Sequence, residues 1–338
     1  MERVRVIKRN VRRGRARALI VGLLLCLLPW RDAGAEVVRV AYVSLGGSHA
    51  PLWVAREACL FSKHGLEVNP VLIGSDAGAT PALIAGDIDI LLAGAAAPLR
   101  AVGSGADLVF IAGQLPYLVF KLMVHSAIQK PEDLRDKRLG IQRFGDTAHY
   151  GLLRALERLG LDAKRDVKII VSGNQTARLA AMKQGIIHGT VVNPPTKLVY
   201  EKEGFTELLD LAQLKNPFAG NVYTVRRAFA ERNRETLEKF VAAVVEGIHR
   251  YKTDKELALK VIRKYLRTQD PAVVEVAYNG YEPVMPTLPY PSEEGFRTAL
   301  EVLSQEVPKA REIDLKRVLD RSFVQKIETG GLMQKLYR

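Results

Sequence analysis

The chain has 338 residues, of which 48% are hydrophobic and 26% are charged, and its formal net charge is +13. These proportions are those of a folded globular protein and exclude a disordered or fibrous one, and the length corresponds to about two domains. Two cysteines, Cys26 and Cys59, are too few for a disulfide framework or a Cys-rich metal cluster.

The first 35 residues have the pattern of a secretory signal peptide. Residues 1–17 are basic, residues 18–28 form the apolar run ALIVGLLLCLL, and Ala33-Gly34-Ala35 supplies small residues before Glu36. The apolar run covers only about 16 Å at 1.5 Å per residue, which is too short for a bilayer core of about 30 Å. We therefore expect export and cleavage before Glu36, by either the general secretory or the twin-arginine route.

The same segment holds about half of the net charge, +7 of +13, because it has nine Lys and Arg residues against two acidic residues. No later stretch combines a dense basic run with interleaved aromatic residues. Nucleic-acid binding is therefore not predicted.

From Glu36 onward, short apolar strand patterns alternate with helical patterns, which is typical of an α/β protein with helices on both faces of its sheets. The first series has strands at residues 37–42, 66–73, 88–93 and 108–112 and helices at 51–61, 79–85 and 96–104. The second has strands at residues 118–124, 138–141, 167–171 and 190–192 and helices at 147–159, 176–184 and 196–203. Two such series without a long linker predict two lobes with a cleft between them.

The last third of the chain is predicted to be mainly helical after two strand-like runs at residues 207–211 and 222–225. Apolar residues between 237 and 251 recur at helical spacing and form one stripe. Such a stripe is more often packed in a core than exposed as an interface, and we interpret it as core.

The motifs of several enzyme and cofactor classes are absent from the sequence. There is no phosphate-binding G-x-x-x-x-G-K-[ST] loop, no strand-associated G-x-G-x-x-G, no H-E-x-x-H and no G-x-S-x-G. We expect no cofactor, no metal and no catalytic residue. Cys59, next to Leu60 and Phe61, is interpreted as a small core residue rather than a nucleophile.

Small, polar, Gly-containing loops follow the predicted strands of both series. The carboxyl ends of strands in such sheets are where ligands bind, although any one Ser, Asn or Asp there could be only a helix N-cap. Arg143 is the candidate for pairing an anionic ligand, and its alternative partners are Asp146 and the opposite lobe. The candidate ligand-binding residues are Ser44, Gly47, Ser48, Ser75, Asp76, Gly94, Ala95, Arg143, Gly145, Asp146, Thr147, Asn174 and Asn193.

Five segments resemble the substrate-binding proteins of ABC importers of the nitrate, sulfonate and taurine class, which includes thiamine-pyrimidine-like members. The resemblance extends over nearly all of residues 36–338. Cys59 departs from the pattern of this family, in which a Gly usually precedes Leu-Phe. The segments are APLWVARE at 50–57, LFSKHGLEV at 60–68, ALIAGDID at 82–89, PEDLRDKRLGI at 131–141 and NPP at 193–195.

The resemblance implies a type II periplasmic-binding-protein fold, in which each lobe is a doubly wound mixed sheet and the ligand lies in the cleft between lobes. It places lobe 1 at residues 36–115 and 219–338, lobe 2 at 116–218, and hinges near 114–117 and 216–221. It implies a periplasmic monomer that closes on a small molecule and docks on a membrane permease. The identity of the ligand, and whether it is an anion, stay open.

Two alternatives use the same fold. One is an enzyme, either a desulfinase with a Cys nucleophile in the cleft or a synthase of a pyrimidine precursor with a Cys-rich motif. The other is a ligand sensor. A neighbouring permease and ATPase would favour import, and a linked kinase would favour sensing.

Overall fold

The structure is a computed structural model that describes residues 35–338. The predicted signal peptide up to residue 34, with Cys26, lies outside the described residues. The strands are β1 (Glu36–Val38), β2 (Val40–Tyr42), β3 (Leu66–Val68), β4 (Val71–Leu72), β5 (Ile90–Ala93), β6 (Leu108–Tyr117), β7 (Lys121–His125), β8 (Arg138–Ile141), β9 (Lys168–Val171), β10 (Gly189–Val192), β11 (Phe205–Asp210) and β12 (Pro217–Arg226).

The helices of the described residues alternate with these strands up to β11 and dominate after β12. They are α1 (Ala50–Glu57), α2 (Leu60–Lys63), α3 (Asp76–Ala85), α4 (Ala96–Gly103), α5 (Thr147–Arg158), α6 (Gln175–Lys183), α7 (Pro194–Lys202), α8 (Arg227–Arg232), α9 (Arg234–Thr253), α10 (Lys255–Leu266), α11 (Pro271–Asn279), α12 (Glu293–Ser304), α13 (Leu315–Val318), α14 (Ser322–Thr329) and α15 (Leu332–Leu336). None of them is long and apolar enough to cross a membrane.

Two five-stranded mixed sheets form the framework. The first has the order β4-β2-β5-β12-β6, in which β4, β2 and β5 run parallel and β12 is antiparallel to both β5 and β6. The second has the order β11-β7-β10-β8-β9, in which β10, β8 and β9 run parallel and β7 is antiparallel to β10 and β11. The predicted α/β class with two mixed sheets is confirmed.

The antiparallel pair β6 and β12 is longer than its neighbours, with ten residues in each strand. The pairing shifts in register between Pro217 and Asn221, which lie opposite Tyr117 and Leu115. Buried Gln114 on β6 receives a hydrogen bond from the Tyr223 hydroxyl at 2.7 Å and donates to the carbonyl of Ser48. The Gln114 side chain therefore ties the loop that follows β2 to the strands β6 and β12.

Two predicted strands are interrupted. The run at 37–42 divides into β1 and β2, and β1 pairs with β3 in a separate two-stranded sheet. The run at 66–73 divides into β3 and β4 around Asn69 and Pro70. Proline lacks the N–H that a strand needs for its ladder, which accounts for the second break.

The predicted helix at 51–61 also divides, and Cys59 is the point of division. Cys59 has a left-handed backbone with φ +55° between α1 and α2. Its side chain is exposed, so the interpretation of Cys59 as a small core residue was wrong. The left-handed turn orients the thiol toward solvent.

The apolar stripe at 237–251 lies on α9 and is buried, as predicted. Leu237, Phe240, Val244 and Ile248 are all fully buried, and α9 packs on α1. Here the stripe is core rather than interface.

Candidate functional site

A cavity of about 80 Å³ lies between the two sheets. It is lined by the loops that follow β2, β4, β8, β9 and β10, by the ends of β6 and β12, and by Tyr281 after α11. The carboxyl ends of parallel strands from both sheets thus meet around one space, which is where ligands bind in sheets of this kind.

The cavity brings together seven of the thirteen candidate ligand-binding residues. Those that line it are Ser44, Ser48, Ser75, Asp76, Asp146, Thr147 and Asn193. Those that do not line it are Gly47, Gly94, Ala95, Arg143, Gly145 and Asn174.

Two of the six outlying candidates are glycines that allow close packing beside the cavity. A Cβ at Gly94 would overlap the Thr147 hydroxyl, so the glycine lets Thr147 approach β5. A Cβ at Gly47 would overlap the Ala277 carbonyl of α11. Both glycines therefore shape the wall without lining it.

Three others make backbone or capping contacts. The Ala95 N–H donates to the Ala219 carbonyl at 3.0 Å, which joins the start of α4 to β12. Gly145 has φ +83° and its N–H donates to His149 Nδ1 at 3.2 Å. Asn174 caps α6, because its Oδ1 accepts from the Ala177 N–H at 3.0 Å. The left-handed backbone accounts for the glycine at position 145, and the side-chain cap accounts for the asparagine at position 174.

The cationic side chain at the cavity is Arg178, not Arg143. Arg143 is exposed, whereas Arg178 on α6 is only 2% exposed and lines the cavity. Its Nη1 donates to the Thr190 hydroxyl at 2.6 Å and to the Val191 carbonyl at 2.9 Å, while its buried Nε has no partner. The guanidinium is thus held through one nitrogen, and the edge formed by Nε and Nη2 makes no hydrogen bond to the described residues.

Sequence reasoning missed Arg178 because an Arg within a helix usually lies on its solvated face. Burial lowers the pKa of Arg178, and the nearby Tyr200 and Asp146 oppose that effect. An arginine stays charged in proteins even so. The usable signal was its position, one turn into the helix that follows β9 at the edge where ligands bind.

Two carboxylates at the cavity join the starts of α3 and α5. Asp76 Oδ2 accepts hydrogen bonds from the Thr147 N–H at 2.7 Å and from the Thr147 hydroxyl, and its Oδ1 accepts from the Gly94 N–H at 3.4 Å. In return, Asp146 Oδ1 accepts from the Ala77 N–H at 2.9 Å. Each aspartate therefore satisfies a free N–H group of the other helix, where the helix dipole favours a negative charge.

Burial raises the pKa of both carboxyl groups, and the charge of Asp76 adds to the rise at Asp146. Burial and the charge of Asp76 raise the pKa of Asp146 to about 7, against the opposing effects of the Ala77 N–H, Arg143 and Arg178. Burial also raises the pKa of Asp76, and its hydrogen bonds from Thr147 and Gly94 oppose the rise. Asp146 consequently changes charge near neutral pH.

Neutral polar groups also line the cavity, among them those of Ser48, His49, Asn193 and Tyr281. Burial lowers the pKa of His49 to about 4, so its ring is neutral at physiological pH. His49 Nδ1 lies 3.0 Å from the Ser48 hydroxyl, and the Tyr281 hydroxyl donates to Asn193 Oδ1 at 3.4 Å. These groups supply adaptable hydrogen bonds without charge.

The described residues contain no group of three or more His, Cys, Asp or Glu side chains that could hold a metal ion. Cys59 does not line the cavity. The desulfinase alternative requires a thiol in the cleft, and no thiol of residues 35–338 lines this cavity.

Comparison with known proteins gives one family and several binding proteins. The family model described as NMT1/THI5 like matches residues 47–256. The taurine-binding periplasmic protein of Escherichia coli K12 is 32% identical over 242 residues, which are 68% of this chain and 71% of that protein. A putative aliphatic sulfonates-binding protein of the same organism is 27% identical over 206 residues, 60% of this chain and 62% of that protein.

A solved structure with the same fold is the alkanesulfonate-binding protein SsuA from Xanthomonas axonopodis pv. citri bound to MOPS. Its TM-score is 0.69 at 22% identity, and the match covers 84% of this chain and 96% of that chain. This similarity confirms the predicted type of fold.

Proposed function

Because the chain belongs to the NMT1/THI5-like family, we propose that it is the solute-binding component of an ABC importer and that its solute is a small sulfonate. The observation that carries the proposal is the free guanidinium edge of Arg178 in the cavity between the sheets. A planar pair of N–H donors matches two oxygens of a sulfonate or carboxylate. The relatives named for taurine and aliphatic sulfonates favour the sulfonate.

The cavity suits binding better than catalysis. The described residues that line it supply hydroxyls, amides and a neutral imidazole, with Arg178 as their one cation and two aspartates that accept hydrogen bonds at helix starts. A thermal-shift panel tests the proposal with taurine, ethanesulfonate, nitrate and an aromatic carboxylate. Saturation at 100 times Kd stabilises a native state by about 2.7 kcal/mol, which is several degrees of Tm here. A shift with a carboxylate or nitrate but with no sulfonate would contradict the proposed solute.

The proposal includes export to the periplasm with cleavage before Glu36, and docking of a monomer on a membrane permease. The basic and apolar pattern of residues 1–35 and the periplasmic relatives support it. N-terminal sequencing of the protein from the periplasmic fraction would give Glu36 as the first residue. A first residue upstream of the apolar run would contradict cleavage.

We also propose that residues 36–115 with 219–338 move as one lobe and residues 116–218 as the other. In support, the first sheet takes its strands from Val40 to Tyr117 and from β12, while the second takes its strands from Lys121 to Asp210. The chain passes from the first lobe to the second after β6 and returns at the start of β12, and we place the hinge at these two points. A smaller radius of gyration in X-ray scattering with saturating solute is the expected result, and an unchanged radius would contradict closure.

A further inference from the structure

A polar contact outside the cavity joins the two proposed lobes. Arg100 lies on α4 of lobe 1, and its Nη2 donates a hydrogen bond to the Tyr150 hydroxyl on α5 of lobe 2 at 3.1 Å. The same nitrogen donates to Glu306, which follows α12 in lobe 1. Arg100, Glu306 and Tyr150 do not line the cavity. A solute in the cavity would therefore not touch this contact.

Arg100 is held in place from two sides. Its ion pair with Glu306 lies within lobe 1, and the side chains of Arg100 and Glu306 are only 35% and 29% exposed, so solvent screens this pair less than a fully exposed one. From lobe 2, the loop before α5 packs on the guanidinium, because a Cβ at Gly145 would lie 3.3 Å from Arg100 Nε. The guanidinium is therefore fixed at the boundary between the lobes.

The Tyr150 hydroxyl is the acceptor on lobe 2. Tyr150 is fully buried, and its ring centroid lies 6.5 Å from that of Phe218 near the start of β12, where we place one of the hinge points. Burial raises the pKa of Tyr150 and the charge of Arg100 opposes that rise, so the hydroxyl is neutral at physiological pH. A hydrogen bond from a charged donor is stronger than one between neutral groups, and a separation of α4 from α5 would break it.

We propose that Arg100, Glu306 and Tyr150 form a clasp that stabilises the closed arrangement of the lobes from outside the cavity and so sets the affinity for the solute. The inference rests on the proposed movement of the lobes. A solute that binds the closed arrangement alone has an apparent affinity proportional to the fraction of the protein in that arrangement. The clasp raises this fraction without contacting the solute, so three residues remote from the cavity control binding.

Pulsed electron paramagnetic resonance of the mature protein without solute tests the inference, because two spin labels report the distance between the lobes. Cys59 offers an exposed thiol on lobe 1, and the exposed position of Lys164→Cys adds one on lobe 2. The closed form is the one in which the distance between the labels matches this structure.

Tyr150→Phe removes the hydroxyl and keeps the buried ring. We expect the ratio of closed to open protein to fall at least threefold in this variant, which is about 0.7 kcal/mol. The affinities for taurine and ethanesulfonate, measured by calorimetry, should fall by the same factor as the closed fraction.

Tyr251→Phe is the matched control. Tyr251 is also fully buried, and its hydroxyl donates to the Tyr278 carbonyl at 3.2 Å, but both residues belong to lobe 1. This control should keep the wild-type distances and affinities. Glu306→Gln is a second variant at an exposed position, which keeps the size of the side chain but removes the charge that holds Arg100. It should shift the distances in the same direction as Tyr150→Phe, and it decides the matter if Tyr150→Phe does not fold.

The outcomes separate this inference from the proposed function. Equal distance distributions in the wild type, Tyr150→Phe and Glu306→Gln, or an equal shift in Tyr251→Phe, overturn the clasp and leave solute binding standing. A loss of affinity in Tyr150→Phe without a loss of closed protein also overturns it. If neither sulfonate binds the wild-type protein, the proposed solute is wrong, and the distance distributions still decide whether the clasp exists.

Discussion

Asp76 and Thr147 connect the two sheets directly, because Asp76 Oδ2 accepts from both the N–H and the hydroxyl of Thr147, with 2.7 Å to the N–H. Asp76 begins the helix after β4 and Thr147 begins the helix after β8. The contact joins the loops that follow β4 and β8, so it stabilises their arrangement beside the cavity.

Thr147→Val should weaken this connection, since valine has nearly the same shape but no hydroxyl. The buried Asp76 oxygen would lose one donor, which costs about 1–3 kcal/mol. Urea unfolding of the ligand-free protein measures the loss. Thr147→Ser retains the hydroxyl and should lie within about 1 kcal/mol of the wild type, and equal losses in both variants would show that the methyl group matters rather than the hydrogen bond.

Asp146 should make the stability of the ligand-free protein depend on pH. Its pKa rises from 3.8 to about 7 on folding, so the native state binds the proton more tightly than the unfolded state. This contribution to the free energy of unfolding is complete below about pH 4 and is lost as pH rises toward and through about 7.

The asparagine of Asp146→Asn cannot ionise, so the variant should not lose free energy of unfolding as pH rises. Its advantage over the wild type should therefore grow by at least about 1 kcal/mol from pH 5 to pH 8, since each pKa unit corresponds to about 1.4 kcal/mol. Urea unfolding at the two pH values measures the difference, with Asp254→Asn as control, because Asp254 also accepts a hydrogen bond at a helix start but does not line the cavity. If the free energy of unfolding changes by the same amount between pH 5 and pH 8 in the wild type and in Asp146→Asn, Asp146 does not titrate in this range.

Cys59→Gly should stabilise the protein. Cys59 has φ +55°, a conformation that costs a residue with a Cβ about 1–2 kcal/mol and costs glycine almost nothing. The greater entropy of glycine in the unfolded chain offsets part of the gain, so a rise in Tm of about 1–2 °C is expected by calorimetry.

Ala58→Gly, at the neighbouring residue with φ −85°, should instead lower Tm. A fall in Tm for Cys59→Gly as well would show that the thiol makes a contact worth more than the backbone strain. Solute affinity should stay unchanged in both variants, because neither residue lines the cavity.

The fold was predictable because its signals are local. The apolar run at residues 90–93 is buried at all four positions of β5, and the stripe on α9 is buried as its spacing predicts. The family resemblance, based on segments such as APLWVARE and NPP, is confirmed by the match over residues 47–256. The division at Cys59 had one signal, the glycine that the resembling family usually has at this position, because glycine readily adopts the left-handed backbone found there.

The site was only partly predictable, because loop position does not tell which side chain lines a cavity. Ser75 and Asn174 both cap the helix that follows their strand, but Ser75 lines the cavity and Asn174 does not. The two arginines differ in the same respect, because Arg178 lines the cavity and Arg143 does not. The exposed Arg143 lies in the predicted loop, and the buried Arg178 lies inside a helix whose tertiary packing against β10 decides its role.

The central claim is that Arg178 holds the sulfonate, and titration calorimetry of Arg178→Lys with the sulfonate that gives the largest thermal shift tests it most directly. Lysine keeps the charge but lacks the planar pair of donors. We predict a loss of affinity of about 30-fold or more, equivalent to about 2 kcal/mol, while exposed Arg143→Ala stays within threefold of the wild type. Binding by Arg178→Lys within threefold of the wild type, or a 30-fold loss in Arg143→Ala, would contradict the account.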